Sequence, residues 1–366
     1  MANLYIKRLK RKSVIGTVIF YTIYLLFVAA VVCGILYVLK ELNSFLDNYE
    51  RSLIKYEAEE VFDTYFSPCK YDTLFDMQSI QLSEFETKDH FIAYMEKQYG
   101  GKEIIYKEAA GLDNAKKYSV AADKVKFAEF TLLKKDDPAV PEDTWYLDSV
   151  STHYQMVESV AVRLYTTSKL YVNGIEPGES YITTDGITTE SCKRVPEGVE
   201  GIQLREYKIE GMLLPPELKV INRHGGESKL VYDENENIFV EELAYDTIPE
   251  ERNKLVIDAA QTYAKYVTLD ASLWNVGQYF DTTSDTYNSI RISETRWYTY
   301  HIGFEFKDVE VKEYYVYDEN TFSVRYSCNH YVYRTQTEEF LFPLDLTLYF
   351  KNINGKYMVY DMISNY

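Results

Sequence analysis

The chain has 366 residues, 57 of them acidic and 39 basic, for a formal charge of −18. An acidic surface of this kind repels nucleic acid, anionic lipid head groups and phosphate-rich wall polymers, which excludes them as partners for the bulk of the chain. Its four cysteines, Cys33, Cys69, Cys192 and Cys328, stand far apart and form no C-x-x-C pair, zinc spacing or dense disulfide framework. One bridge among the last three is open, and spacing does not choose it.

Residues 1–12 form a basic tail, with Lys7, Arg8, Lys10, Arg11 and Lys12 and no acid among them. Residues 13–39 follow without a single Asp, Glu, Lys or Arg. About 20 helical residues at roughly 1.5 Å each cross a hydrocarbon core of about 30 Å, and a lone segment can cross only as a helix. The cations ahead of it predict an N-terminus in the cytoplasm and the rest of the chain outside, in a single pass of the cell membrane. A cleaved signal peptide would have a shorter apolar run and a small-residue exit site, and neither is present. Val32 is too bulky for a lipoprotein cleavage before Cys33. A sensor passing a signal inward is a third reading, but a cytoplasmic tail of residues 1–12 leaves little room for an output domain.

Residues 40–151 read as a first α+β domain. Leu42, Leu46, Tyr49, Leu53 and Tyr56 make one helical stripe. It is read as the membrane helix running on into the outer domain, with pairing of two copies through a short parallel coiled coil as the alternative. The helix continues through Ala58, Val61, Phe62, Tyr65 and Phe66 to Ser67-Pro68. A second helix is expected over Asp89–Tyr99, closed by Gly100-Gly101. Strands are expected over Glu103–Ala109, Tyr118–Ala122, Lys126–Leu133 and Trp145–Val150, with a loop over Lys134–Thr144.

Residues 152–246 read as a small all-β, sandwich-like module. Ser159–Val172 alternates apolar and polar residues, and Asn173-Gly174 is a hairpin signal. Further strands are expected at Tyr207–Leu214, Pro216–Asn222, Leu230–Tyr232 and Ile238–Leu243. Asp233–Asn237 echoes a calcium loop but lacks its sixth-position Gly and twelfth-position Glu, so it reads as a polar turn.

Residues 247–366 read as a second α+β domain. Its helix is expected to start at Asp246 or Thr247 as cap, and to bury Leu255, Ala259, Ala260, Tyr263, Ala264 and Val267. A shorter helix is expected over Ser293–His301. Four long strands close the chain: Phe304–Tyr317, Thr321–Thr335, Glu338–Phe350 and Lys356–Ile363. Asp345, between Leu344 and Leu346, is expected on the outer face or at a sheet edge. A faint repeat links the two α+β regions. Ala58, Phe62, Tyr65 and Phe66 match Ala259, Tyr263, Tyr266 and Val267 at one offset, Tyr71–Phe75 resembles Leu269–Leu273, and Tyr146–Val150 resembles Val359–Ile363.

The order of long helix, short helix and curved antiparallel sheet, ending in N-G-K-Y-M-V-Y-D-M-I, resembles the nuclear transport factor 2-like cone fold. The match is best over 250–366 and fainter over 48–150. K-L-Y-V-N-G-I-E-P-G-E is similar to "YVNG" β modules of Gram-positive exported proteins. In layout the chain resembles membrane-anchored proteins of the teicoplanin-resistance-associated type, and the non-catalytic cone domain of some resistant penicillin-binding proteins. The resemblance implies two cone-shaped domains flanking the β module and a place in the cell envelope. It decides no activity, because that fold hosts both enzymes and inert binding modules.

Chemistry-bearing motifs are scarce. Ser52-Leu53-Ile54-Lys55 fits S-x-x-K, but no K-T-G follows. G-x-S-x-G, H-E-x-x-H, P-loop and Rossmann glycine patterns are absent, and no cofactor, metal or catalytic residue is assigned. The candidate pocket lies in the last domain. Phe322, Val324, Tyr326, Cys328, His330 and Val332 share one strand face, with Tyr263, Trp297, Tyr300 and His301 expected above it and Leu346 beside it. His330 is the first residue to consider as a general base, but no carboxylate stands on its face. The expected function is non-catalytic binding or scaffolding at the envelope, toward a protein or wall fragment. The alternative is a small-molecule-binding protein or enzyme that uses this cone pocket.

Overall fold

The first helix is long because nothing in the sequence stops it. Residues 13–39 contain no proline and only two glycines, Gly16 and Gly34, and α1 spans Ala2–Ser52. It stops at Leu53, whose backbone is extended (φ −72°, ψ 131°). The stripe expected to run unbroken from Leu42 to Tyr56 is therefore divided between α1 and the next helix. The structure, a computed structural model, describes residues 2–135, 144–293 and 300–365, and the surroundings of all their side chains except 2–14, 47, 48, 50–52 and 110. It divides into two compact units, Met1–Met156 and Val157–Tyr366.

In the first unit, α1 is followed by α2 (Ile54–Tyr65), α3 (Tyr71–Asp76) and α4 (Lys88–Tyr99). Then come β1 (Ile104–Leu112), β2 (Ala115–Ala122), β3 (Val125–Lys134) and β4 (Trp145–Thr152), an antiparallel meander in that order. Alternation in β3 turns Phe130 and Leu132 into the core together with Tyr118 and Val120 of β2. Aromatic rings close the space between helices and sheet. Phe66 stacks on Phe130 at 5.9 Å, and Tyr99 stacks on Phe127 at 4.7 Å. Most of the loop expected over 134–144 lies outside the described residues.

The second unit opens with β strands in two sheets. They are β5 (Glu158–Tyr165), β6 (Lys169–Val172), β7 (Ile182–Thr188), β8 (Gln203–Met212), β9 (Leu218–Ile221), β10 (Glu227–Ser228), β11 (Leu230–Asp233) and β12 (Ile238–Glu241). One sheet has the order β10-β9-β6 and the other β11-β12-β5-β8-β7, with β12 and β5 parallel. The run expected as one strand over Ser159–Val172 is two strands in different sheets, broken by a turn at Thr166–Ser168. Asn173 (φ 49°) and Gly174 (φ 82°) both take the left-handed backbone that a type I′ turn requires, as the Asn-Gly pair suggested.

A buried carboxylate holds this module together. Glu241 is 2% exposed and accepts hydrogen bonds from the Tyr165 backbone N–H (2.9 Å), Ser168 Oγ (2.8 Å) and Ser228 Oγ (2.8 Å). A buried charge survives only if its acceptor capacity is used, and these three donors come from both sheets and the turn between them.

The rest of the unit is α5 (Glu250–Val267), α6 (Leu273–Val276), α7 (Asp285–Ile292), then β13 (Gly303–Asp318), β14 (Thr321–Tyr333), β15 (Glu339–Ile353) and β16 (Lys356–Ser364). The four strands form another antiparallel meander in chain order. The element order of the first unit's α2–α4 and β1–β4 thus recurs here, as the faint sequence repeat suggested. The match is not residue for residue: Tyr71–Phe75 lies in α3, but Leu269–Leu273 mostly precedes α6. Most of the helix expected over Ser293–His301, residues 294–299, lies outside the described residues; α7 ends just before it at Ile292, and Ser293 is extended. The start of α5 also differs. Pro249 holds the cap position, and Asp246 bonds instead to the Val316 backbone N–H (2.7 Å) and to Arg223. The Arg223 guanidinium lies 3.8 Å from the Tyr315 ring centroid and donates to the Val316 carbonyl (3.0 Å), joining the β module to β13. All four cysteines are free thiols.

Glu241→Gln puts an amide NH₂ where donors converge, at a cost of about 2 kcal/mol from lost charge-assisted bonds. Hydrogen exchange over β5 and β12 should speed up accordingly, and unchanged protection would show that Glu241 is not holding the sheets.

Candidate functional site

The hollow of the last domain is made by strand curvature. β13 carries left-handed residues at Asp308 (φ 52°) and Glu313 (φ 56°), and its pairing with β14 slips between Lys307 and Glu310 and between Lys312 and Tyr315. Such bulges bend and twist a strand, so the sheet curls around α5. On the concave face of β14 the expected stripe is present: Phe322, Val324, Tyr326, Cys328, His330 and Val332 are all buried. Directly opposite on β15 stand Leu346 against Tyr326, Leu344 against Cys328 and Phe342 against His330.

Between the end of α5 and the strands β14–β16 lies a cavity of about 670 Å³. Its wall is mostly apolar and includes Tyr263, Val267, His330, Phe342, Leu344 and Leu346. Thr268 and Ser364 add hydroxyls, and Leu341 and Pro343 at its margin are exposed. Of the candidates named from sequence, Tyr263, His330 and Leu346 line this space. Tyr326 lies in the core but off the cavity wall. Tyr300 is 82% exposed and off the wall, which corrects its placement in the pocket. Trp297 lies outside the described residues.

His330 is 1% exposed, and its Nε2 has no hydrogen-bond partner among the described residues. Phe306 stacks on its ring at 4.4 Å and 20°, and Phe304 meets it edge-on at 5.8 Å. Burial pushes its pKa down to about 4. Asp270 opposes that shift, while His301 and Lys265 add to it. The imidazole is thus neutral at physiological pH. The carboxylate that could orient a catalytic histidine serves a different ring: Asp270 bonds His301 Nε2 at 2.9 and 3.0 Å, and accepts from Thr268 Oγ1 at 2.6 Å. His301 is not on the cavity wall. A neutral, unoriented imidazole with a pKa this low is a poor general base near pH 7. Among the described residues no group of three His, Cys, Asp or Glu side chains could hold a metal ion.

Asp345 faces outward as expected, where Arg325 grips it with two bonds of 2.7 Å. That fork, with Asn365, lowers its pKa. Sequence reasoning did not name Thr268, Phe342, Leu344 or Met362 as pocket residues, nor the Asp270–His301 pair. Strand register was the missing signal, since it decides which β15 residue stands opposite His330.

No protein-family model and no curated protein matches the chain. Among solved structures, a chain described as "Ntf2 like protein involved in plasmid conjugation" is similar over 80% of this chain and 94% of its own, at 11% identity and a TM-score of 0.23.

The depressed pKa of His330 makes stability depend on pH in a defined direction. The unfolded chain takes up a proton near pH 6.5 and the folded one only near 4, so the contribution is complete above 6.5 and is lost as pH falls through that window. From pH 8 to pH 5 the wild type should lose about 2 kcal/mol relative to His330→Phe, read by hydrogen exchange in β14. Parallel pH profiles for the two proteins would contradict the burial account.

Proposed function

We propose that this chain is a non-catalytic binding protein anchored in the cell membrane by α1, with the chain beyond the membrane span outside the cell and its cavity as the binding site. The anchor reading is supported by Ile15–Leu46, one helix long and apolar enough to cross a membrane, with none of its most apolar window buried in protein. The basic residues before it support an N-terminus inside. The layout similar to teicoplanin-resistance-associated proteins supports a place in the cell envelope. Leu42, Leu46 and Tyr49 on α1 are exposed and offer a face on which two copies could pair.

The observation that carries the binding reading is the cavity of about 670 Å³ walled mainly by apolar side chains. Ligand sites are concave, largely apolar and within roughly 300–1,000 Å³, with a few polar groups to fix orientation. Binding is favoured over catalysis because the one imidazole on the wall is neutral and lacks a carboxylate to orient it.

The test is chemical extraction of the full chain purified in lipid nanodiscs, beside a Leu344→Trp variant that fills the cavity. Mass spectrometry of the wild-type extract should contain a small molecule enriched several-fold over the variant. Identical extracts from two folded proteins would contradict a ligand-binding role.

A further inference from the structure

Resting on that binding reading, we infer that the cavity takes a small uncharged ligand with an apolar body and a single hydroxyl, a phenol or an alcohol, whose hydroxyl bonds His330 Nε2. Three observations on the wall select this class. Among the described residues the lining offers long apolar contact from Val267, Phe342, Leu344, Leu346 and Met362, and no Asp, Glu, Lys or Arg. A charged ligand would therefore lose its hydration without gaining a partner.

The second observation is His330 itself. Its Nε2 is buried and has no partner among the described residues, in a ring held by Phe304, Phe306 and Phe342, so it cannot turn away to find water. A buried polar atom left without a partner is costly, and a ligand that satisfies it gains twice, from its own bond and from relief of that cost. The third is the chemistry of a neutral imidazole. Its Nε2 accepts in one tautomer and donates in the other, and a hydroxyl can answer either. An ether or a ketone can only accept, and a hydrocarbon can do neither.

The space is sized for one drug-like molecule, and the exposed Leu341 and Pro343 mark the side from which it enters. Thr268 and Ser364 supply further hydroxyls on the wall.

The probes are 2-naphthol and naphthalene, which differ by the hydroxyl alone. The full chain in lipid nanodiscs, labelled with ¹⁵N on its five histidines, is titrated with each, and empty nanodiscs correct for partitioning into lipid. The His330 ring signal is the one missing from His330→Phe. Naphthol should bind the wild type about tenfold more tightly than naphthalene and move the His330 ring nitrogen, and His330→Phe should bind the two equally. Equal affinity for both probes in the wild type, with the His330 nitrogen unmoved, overturns the hydroxyl assignment but leaves the cavity as a binding site. Failure of the wild type to bind either probe removes the binding reading as well. The wild-type comparison stands without any variant, so a folding failure of His330→Phe cannot decide the outcome.

Discussion

From Ile15 to Leu46 the side chains of α1 meet no protein cover, and Leu25, Leu26, Phe20 and Phe27 are each about two-thirds exposed. The helix satisfies its own backbone, but its surface is mostly apolar, and from Ile15 to Leu39 it carries no charge. Water charges roughly 25 cal/mol for each Å² of such surface, so an anchor of this length is stable only where something apolar surrounds it. In the proposed reading lipid is that cover. The uncharged run and the cations before it are then one device, fixing both the depth and the direction of the helix.

Outside that helix the protein stabilises itself without disulfides, and aromatic packing takes much of the load. Phe66, Phe127 and Phe130 interlock in the first unit, and Phe322 stacks on Phe350 at 4.7 Å in the second. Polar groups that go inside are used as joints. Glu241 gathers three donors from two sheets, and Arg223 with Asp246 pins the β module against β13. Against that thrift His330 is an exception: its buried Nε2 meets no partner among the described residues, and its ring lies on the cavity wall, which points to a ligand.

Much of the fold was legible because strands and turns leave short-range marks. Asn173-Gly174 gave its tight turn, with both residues left-handed as the turn demands, although it closes a single bridge between Val172 and Ile175 and β6 pairs with β9. The stripe on β14 followed from a period of two alone. What the sequence concealed depended on contacts between distant segments. Asp246 read as a helix cap until Arg223 and Val316 claimed it, and Ser159–Val172 read as one strand although its halves belong to different sheets. Tyr300 read as a pocket residue, but it is exposed and off the cavity wall. The cavity needed the register of β15 against β14 and the bulges of β13, and neither has a local signature.

The central claim is that α1 sits in lipid, and Cys33 on that helix is a native handle for testing it. With Cys69, Cys192 and Cys328 changed to Ala, a spin label on Cys33 in a reconstituted bilayer reports its collisions with oxygen and with a water-soluble nickel chelate. The account predicts frequent oxygen collisions and almost none with nickel. Free access of nickel to the label would place the helix in water and contradict it.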